Sequence, residues 1–502
     1  MKIIVVGGGI GGLCAYHALK KHLSQESGIA FPASDPLSIT IVESHSSASR
    51  TIGGGLGLAP NGQRAIASIY PPAIPYITNR AFPCSEMAMR NSKGSLLGMF
   101  SSGKKARYGY PMLMLPRAVV HEALLVGIPE EDIRWGTKVV GVKEVGAKVQ
   151  LEYQDGSKEE ADLVIGADGV RSAIKQSLFD GRFEAVYDGL TGVGGFISLS
   201  ELPQAFQQSL RSYPVTMTFG RKGFFGYSMA SPLPDADSSK SSESQIEPFI
   251  QWWSIYECPT IPERKEDIDY DALKKQLLAR HGDWKSPYDD PETKIAIFRR
   301  MIELGCRPPA ATPEIKSSGS DNEKRPHDAS AMVLPRFITP RLPFWTNANS
   351  PTTAVESRGR IVLIGDAAHT MPPDVGQGVS CAAEDAVVYA LLLKHYLLRE
   401  QERLQEAGPS AQKGRPSALV QAAKAFEEIR KPHIDRLLKL AKYSGDAKKE
   451  MGPIGQIIRD LGMRLACKLV PESVNDPVFA YDCNAVVVQY LSEHEQTGVE
   501  SR

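Results

Sequence analysis

Lys2-Ile3-Ile4-Val5-Val6-Gly7-Gly8-Gly9-Ile10-Gly11-Gly12-Leu13-Cys14-Ala15 decides how this chain folds. Four consecutive β-branched residues, 3–6, predict a strand buried on both faces. The glycines that follow predict a tight turn, and the apolar run onward to Leu19 predicts a helix. Gly7, Gly9 and Gly12 satisfy G-x-G-x-x-G: one permits the turn, one lets backbone approach a pyrophosphate, and one lets helix and strand pack closely. The helix N-terminus then faces the phosphates. Glycine turns without a ligand carry the same pattern, so the next strand must decide.

That strand is Leu37-Ser38-Ile39-Thr40-Ile41-Val42-Glu43. A carboxylate at its end can accept both hydroxyls of an adenosine ribose, normally about 20 residues past the glycines. The interval is longer here, and the Ser/Pro-bearing stretch 24–36 accounts for the surplus as an insertion between helix and strand. Glu43 is therefore the expected ribose ligand.

The 502 residues are too many for one ordinary domain and imply two or three structural units. Lys+Arg and Asp+Glu both number 58, and a zero formal charge argues against nucleic acid or an anionic membrane as principal partner. The seven cysteines, at 14, 84, 258, 306, 381, 467 and 483, lack C-x-x-C spacing. Neither a disulfide framework nor a metal site is expected, and a reducing compartment is. Glycines break the N-terminal apolar run after four residues, and no run approaches the roughly 20 apolar residues of a membrane span. A soluble cytoplasmic protein is expected, its oligomeric state open.

A second glycine cluster, Arg50-Thr51-Ile52-Gly53-Gly54-Gly55-Leu56-Gly57-Leu58-Ala59-Pro60-Asn61, allows backbone to lie against a flat or phosphorylated ligand. With it the chain begins to resemble the class A FAD-dependent monooxygenases, the para-hydroxybenzoate hydroxylase group, and among them fungal members of secondary metabolism. Their Glu, Arg and G-x-x-x-G-L-x-P-N series looks like Glu43, Arg50 and the run from Gly53 through Gly57 to Asn61. Arg117, in Leu115-Pro116-Arg117, stands where that family carries an arginine that contacts FAD.

Two further motifs extend the resemblance. Leu163-Val164-Ile165-Gly166-Ala167-Asp168-Gly169 is an apolar strand delivering an acid at its carboxyl end, where ligands sit on an open α/β sheet. It resembles the family's DG motif, associated with FAD and the nicotinamide cofactor. Arg360-Ile361-Val362-Leu363-Ile364-Gly365-Asp366 continues through Pro372-Pro373-Asp374-Val375-Gly376-Gln377-Gly378-Val379, a strand, a proline turn and a helix start whose free N–H groups can face an anion. It looks like the family's GD motif, which assigns Asp366 to the ribityl chain, Pro373 to the isoalloxazine edge, and Gly376, Gly378 and Val379 to its pyrimidine end. His369, inside this motif, is expected to be structural.

The resemblance implies an α/β protein: a Rossmann-like FAD-binding domain of the glutathione-reductase type (1–75, 105–182 and 335–395), an inserted β-sheet substrate domain (76–104 and 183–334) and a helical C-terminal region (396–502). Strands are expected at 193–199, 215–219, 224–230 and 249–256. Tyr227 lies on a strand where relatives often place an active-site tyrosine, and is the one catalytic candidate. Gly192-Val193-Gly194-Gly195 replaces a Trp-Arg-Gly common in fungal relatives, so no arginine role carries over. Residues 232–245 and 311–330 predict polar surface loops. Helices are expected at 115–124, 387–398, 419–431 and 433–443. Residues 457–470 are amphipathic, with packing onto the protein the expected use of the apolar side.

One dinucleotide fingerprint implies bound FAD and a visiting NADPH or NADH. The expected reaction inserts one atom of O2 into a small aromatic, indole or polyene substrate. A flavin oxidase or dehydrogenase on the same fold, and a non-catalytic relative of GDP-dissociation inhibitors, are the alternatives. Gln251-Trp252-Trp253-Ser254-Ile255-Tyr256 lacks the W-x-W-x-I-P signature of flavin halogenases.

Overall fold

Five strands lie parallel in the order Ile361–Leu363, Leu163–Gly166, Lys2–Val6, Ser38–Val42, Ile133–Arg134. They belong to a computed structural model that describes residues 1–46, 53–233, 247–262, 268–290, 294–308, 331–408 and 416–500. Val6 is opposite both Gly166 and Val42, and Gly166 is opposite Leu363. Four strands therefore end at one level, and the residues that follow them share one edge. Ile3–Val6 and the apolar residues of the two neighbouring motif strands are buried, as parallel strands covered on both faces require. Helix Ile10–Leu23 packs on this sheet, and helix Gly378–Ala407 packs on that helix. They approach at small residues, a Cβ on Gly11 standing 3.3 Å from that of Ala382, so both helix N-termini reach the same edge. This is the Rossmann-like domain.

A seven-stranded sheet follows the order Met332–Ile338, Val186–Ser198, Phe249–Glu257, Gly223–Met229, Val215–Gly220, Glu86–Asn91, Leu96–Ser101. Strands fall where expected, the first running longer than 193–199, and Met332–Ile338 crosses position 334/335. One face packs on helices Tyr270–His281 and Ile297–Gly305 through Leu277, Phe298 and Met301. The other turns toward the Rossmann-like domain. A short sheet, Gly55–Leu58, Met112–Pro116 and Phe82–Cys84, lies between the two.

The C-terminal region is helical: Ala418–Asp446, Pro453–Leu469 and Cys483–Glu500. Where two helices were expected at 419–431 and 433–443, one runs through Pro432. The proline removes one N–H, but its flanking neighbours Arg430 and His433 are held in the core by carboxylates of the helix opposite, which keeps both halves in line. The helix expected at 115–124 begins at Arg117, because Leu115 and Pro116 finish the preceding strand. The expected loop 311–330, and 234–245 of the loop expected at 232–245, lie outside the described residues.

Candidate active site

The shared strand edge opens on a cavity of about 1200 Å³ that extends from the glycine turn to the seven-stranded sheet. Gly7 (φ +106°) could not carry a side chain: a Cβ there would be 2.5 Å from the Ala167 carbonyl oxygen, and one on Gly12 would be 1.9 Å from that of Gly7. Gly9 is different. Its nearest neighbour would be an Arg117 Nη2 at 3.7 Å, so the space above it is open to a ligand. Gly12 does not line the cavity, and its role is the close packing of turn and helix.

Glu43 Oε2 accepts the Gly8 N–H at 2.6 Å, and Oε1 accepts that of His45 at 2.8 Å, with His45 Nδ1 at 2.7 Å. Burial pushes this carboxyl up, but the hydrogen bonds from His45, Gly8 and Ser44 outweigh it and hold it below the usual carboxylate range. His121 Nε2 donates to the Gly8 carbonyl at 2.8 Å and clamps the turn from the other side. Gly57 lines the cavity between Met112 and Met114. Arg50 lies outside the described residues.

Arg117 opens its helix with its guanidinium in the cavity, where burial lowers its pKa against the pull of Asp366. Asp366 is surrounded by protein yet accessible from the cavity, and burial pushes its carboxyl up against His369, Arg117 and Lys175. No hydrogen bond from a described residue reaches either side chain. Asp168, in contrast, is largely engaged. Its Oδ2 accepts the N–H groups of Ala173 (2.7 Å) and Ile174 (3.2 Å) at the start of helix Ala173–Leu178, while its buried Oδ1 has no hydrogen-bond partner among the described residues.

Pro373, Gly376 (φ +62°), Gly378 and Val379 line the cavity where helix Gly378–Ala407 begins. The first N–H groups of that helix have no intrahelical acceptor and carry its positive dipole end. Behind the loop lies a network of buried charges. Asp385 accepts from Gly365 N–H (2.9 Å), His369 Nε2 (2.6 Å) and Arg430 Nε (2.8 Å); Glu384 accepts from Arg430 Nη2 (2.7 Å) and Asn61 Nδ2 (2.7 Å). Burial would raise Asp385, but His369 and Arg430 hold it down to about 2. His369 is buried in this network, beside Trp345, and does not line the cavity. Asp374 ties the loop to the other side, 2.8 Å from Arg336 and 2.7 Å from Lys448.

The far end of the cavity is apolar. Met87, Met89, Met112, Met114, Met217 and Met332 line it with Trp253, Phe100 and Ile255. Gln251 stands at its border, its buried Oε1 without a hydrogen-bond partner among the described residues, where a Cβ on Gly55 would be 1.7 Å away. Tyr227 is not part of the cavity, which corrects the catalytic candidate. It pairs with Thr216 and Trp252, and the Trp252 ring packs in the same core against helix Ile297–Gly305 although that residue also borders the cavity; Met217 and Trp253, one residue out of phase, line the cavity. The Tyr227 ring is buried on the opposite face against Phe206.

Residues 327–422 match the family model of an FAD binding domain. The FAD-dependent monooxygenase nodM of Hypoxylon pulicicidum is 25% identical over 447 residues, 88% of this chain and 79% of its own. The 6-hydroxynicotinate 3-monooxygenase of Pseudomonas fluorescens is 24% identical over 78% of this chain and 82% of its own. In fold, the chain superimposes on the Klebsiella pneumoniae HpxO complex with FAD and uric acid with a TM-score of 0.64, at 19% identity and 97% coverage of each chain. By these likenesses the chain is an FAD-dependent monooxygenase that resembles the class A type. FAD fits the monooxygenase's own residues: an open turn above Gly9, an arginine and an aspartate whose side chains take no hydrogen bond from the described residues, and the N-terminus of helix Gly378–Ala407 all face one cavity.

Sequence reasoning missed the Glu384–Asp385–Arg430 network, the Asp374–Arg336–Lys448 tie and the methionine lining. Only the last left a local signal, Met87/Met89 and Met112/Met114 at the two-residue spacing of strands.

Proposed function

We propose that this monooxygenase takes electrons from NADH or NADPH and inserts one oxygen atom of O2 into an uncharged, electron-rich arene, indole or alkene, by hydroxylation or epoxidation, as a step in secondary metabolism. Reduced FAD, when bound, supplies the reaction with O2. Glu43 would hold the ribose, Arg117 the cofactor's negative charge and Asp366 its ribityl hydroxyls. Pro373, Gly376, Gly378 and Val379 would meet the ring, with the helix dipole favouring negative charge at its edge. The partition into an FAD-binding unit (1–75, 105–182, 335–395), a substrate unit (76–104, 183–334) and a helical region (396–502) belongs to the same reading, as does a reducing cytoplasmic setting, which seven free cysteines support.

The observation that carries this is the division of the cavity into a polar end and a methionine- and tryptophan-lined end. An apolar wall seats an apolar substrate and keeps water from the reacting centre. It favours oxygen insertion over the oxidase reading, because oxidation of an alcohol or amine needs a group to take the substrate's proton. The charged residues near this end, Arg336, Asp374 and Lys448, are tied to one another. Anaerobic reduction of the FAD-loaded protein with each nicotinamide tests the proposal: a panel of apolar arenes, indoles and polyenes should contain a compound that accelerates reduction. If no member does, while an alcohol or amine reduces the flavin unaided, the oxidase reading replaces it.

A further inference from the structure

Helix Pro453–Leu469 is amphipathic, but its apolar side faces outward. Ile454, Ile457, Ile458, Leu461, Leu465 and Leu469 are 50–74% exposed, and their spacing places them on one stripe. The opposite side fastens the helix to the seven-stranded sheet. Asp460 accepts from Asn91 Nδ2 at 3.1 Å, Arg459 donates to the Gly220 carbonyl at 3.2 Å, Cys467 lies directly on Gly98, and Met463 packs with Phe219 and Phe224. A helix built only to cover the sheet would turn its isoleucines and leucines inward. An exposed apolar face of this extent marks a surface that meets something.

The charges say what. Arg464 and Lys468 are exposed on the outward half of this helix, while its single carboxylate, Asp460, is turned onto the sheet. An apolar stripe flanked by cations and free of acids is the pattern of a helix lying in the headgroup region of an anionic bilayer. The place in the fold agrees. The preceding helix contributes Leu437, Leu440 and Ser444 to the cavity, and the segment that follows contributes Asn475, Val478 and Phe479. Leu440 is also 44% exposed, so the cavity lining reaches the outer surface there.

We propose that Pro453–Leu469 is an interfacial helix that seats the protein on an anionic phospholipid surface. The zero net charge of the whole chain does not oppose this, because the attraction is local to one face. That the surface also feeds the cavity with lipophilic substrate rests on the apolar-substrate reading above; the seating itself does not.

Flotation of the full, FAD-loaded chain with vesicles tests it, using flavin absorbance as the readout. The protein should float with phosphatidylcholine/phosphatidylglycerol vesicles and much less with phosphatidylcholine alone. Ile458→Gln, Leu461→Gln and Leu465→Gln together should weaken binding about tenfold or more, with FAD content and Tm unchanged. Arg464→Gln with Lys468→Gln should cost about tenfold on the anionic vesicles only. The proposal falls if the protein floats with neither vesicle, or if the triple variant binds as the parent does. It also falls if sedimentation without lipid finds a dimer that the triple variant converts to monomer, since the face would then seat a second copy. None of these results touches oxygen insertion, which is measured separately.

Discussion

Arg430→Met removes a cation that two fully buried carboxylates share, 2.8 Å from Asp385 and 2.7 Å from Glu384. Methionine fills much of the same volume, so the cost is electrostatic. Breaking a buried pair by removing one partner typically costs about 3–5 kcal/mol, because a charge is left in a medium that solvates it poorly. Here two carboxylates lose it, which places the loss at the upper end of that range, a large share of the roughly 5–15 kcal/mol that stabilises an ordinary domain. The loss also acts at a distance, since Asp385 holds the Gly365 N–H and His369 and so sets the start of the loop that carries Asp366. Urea unfolding followed by fluorescence, with flavin retention read on the same samples, should show both effects. Adding Glu384→Gln and Asp385→Asn should recover at least half of the lost stability, because the uncompensated charges are gone. The acid limb should change as well. Asp385 is held at about 2, below its ordinary 3.8, so it contributes stability that is full above about pH 4 and disappears as pH falls toward 2. Arg430→Met should move that loss upward in pH. A single variant costing less than about 1 kcal/mol, or a triple variant no better than the single, would show that Arg430 does not serve to neutralise the two carboxylates.

Asp366→Ala should weaken FAD affinity about ten- to hundredfold, the loss of a charged hydrogen-bond partner, with Tm little changed; His369→Ala should instead lower Tm, and equal flavin retention in the two variants would contradict the assignment. Gly12→Ala should fail to fold or lose its flavin outright, since the new Cβ would stand 1.9 Å from the Gly7 carbonyl oxygen, whereas Gly9→Ala should fold with a normal melting curve and bind FAD more weakly. Tyr227→Phe should leave turnover and the ratio of product to oxygen consumed unchanged, because its ring faces away from the cavity.

The parts of the site legible in the sequence are those that local backbone geometry determines. Gly7 at φ +106° and Gly376 at φ +62° mark turns that follow buried strands or open helices, and such turns leave their glycines in the sequence. What escaped depends on phase and on distant partners. Phe224-Phe225-Gly226-Tyr227 is apolar in both alternating registers because helices cover one face of its sheet and the cavity bounds the other, so a period of two cannot say which side Tyr227 takes. Arg430 meets Glu384 and Asp385 from a separate helix, and no spacing along the chain announces that meeting. The amphipathic character of 457–470 was plain, but amphipathicity does not state which face turns to the protein, and here it is the polar one.

In the proposed reaction, oxygen from O2 enters an apolar substrate held at the methionine-lined end of the cavity. Its most direct measurement is a single turnover of the anaerobically reduced, FAD-loaded protein with ¹⁸O₂ and the compound that most accelerates reduction, analysed by mass spectrometry. One ¹⁸O atom per product, with product matching the oxygen consumed and the yield collapsing in Met217→Glu while FAD stays bound, is the predicted result. Unlabelled product, or oxygen recovered entirely as hydrogen peroxide across the whole panel, would contradict it.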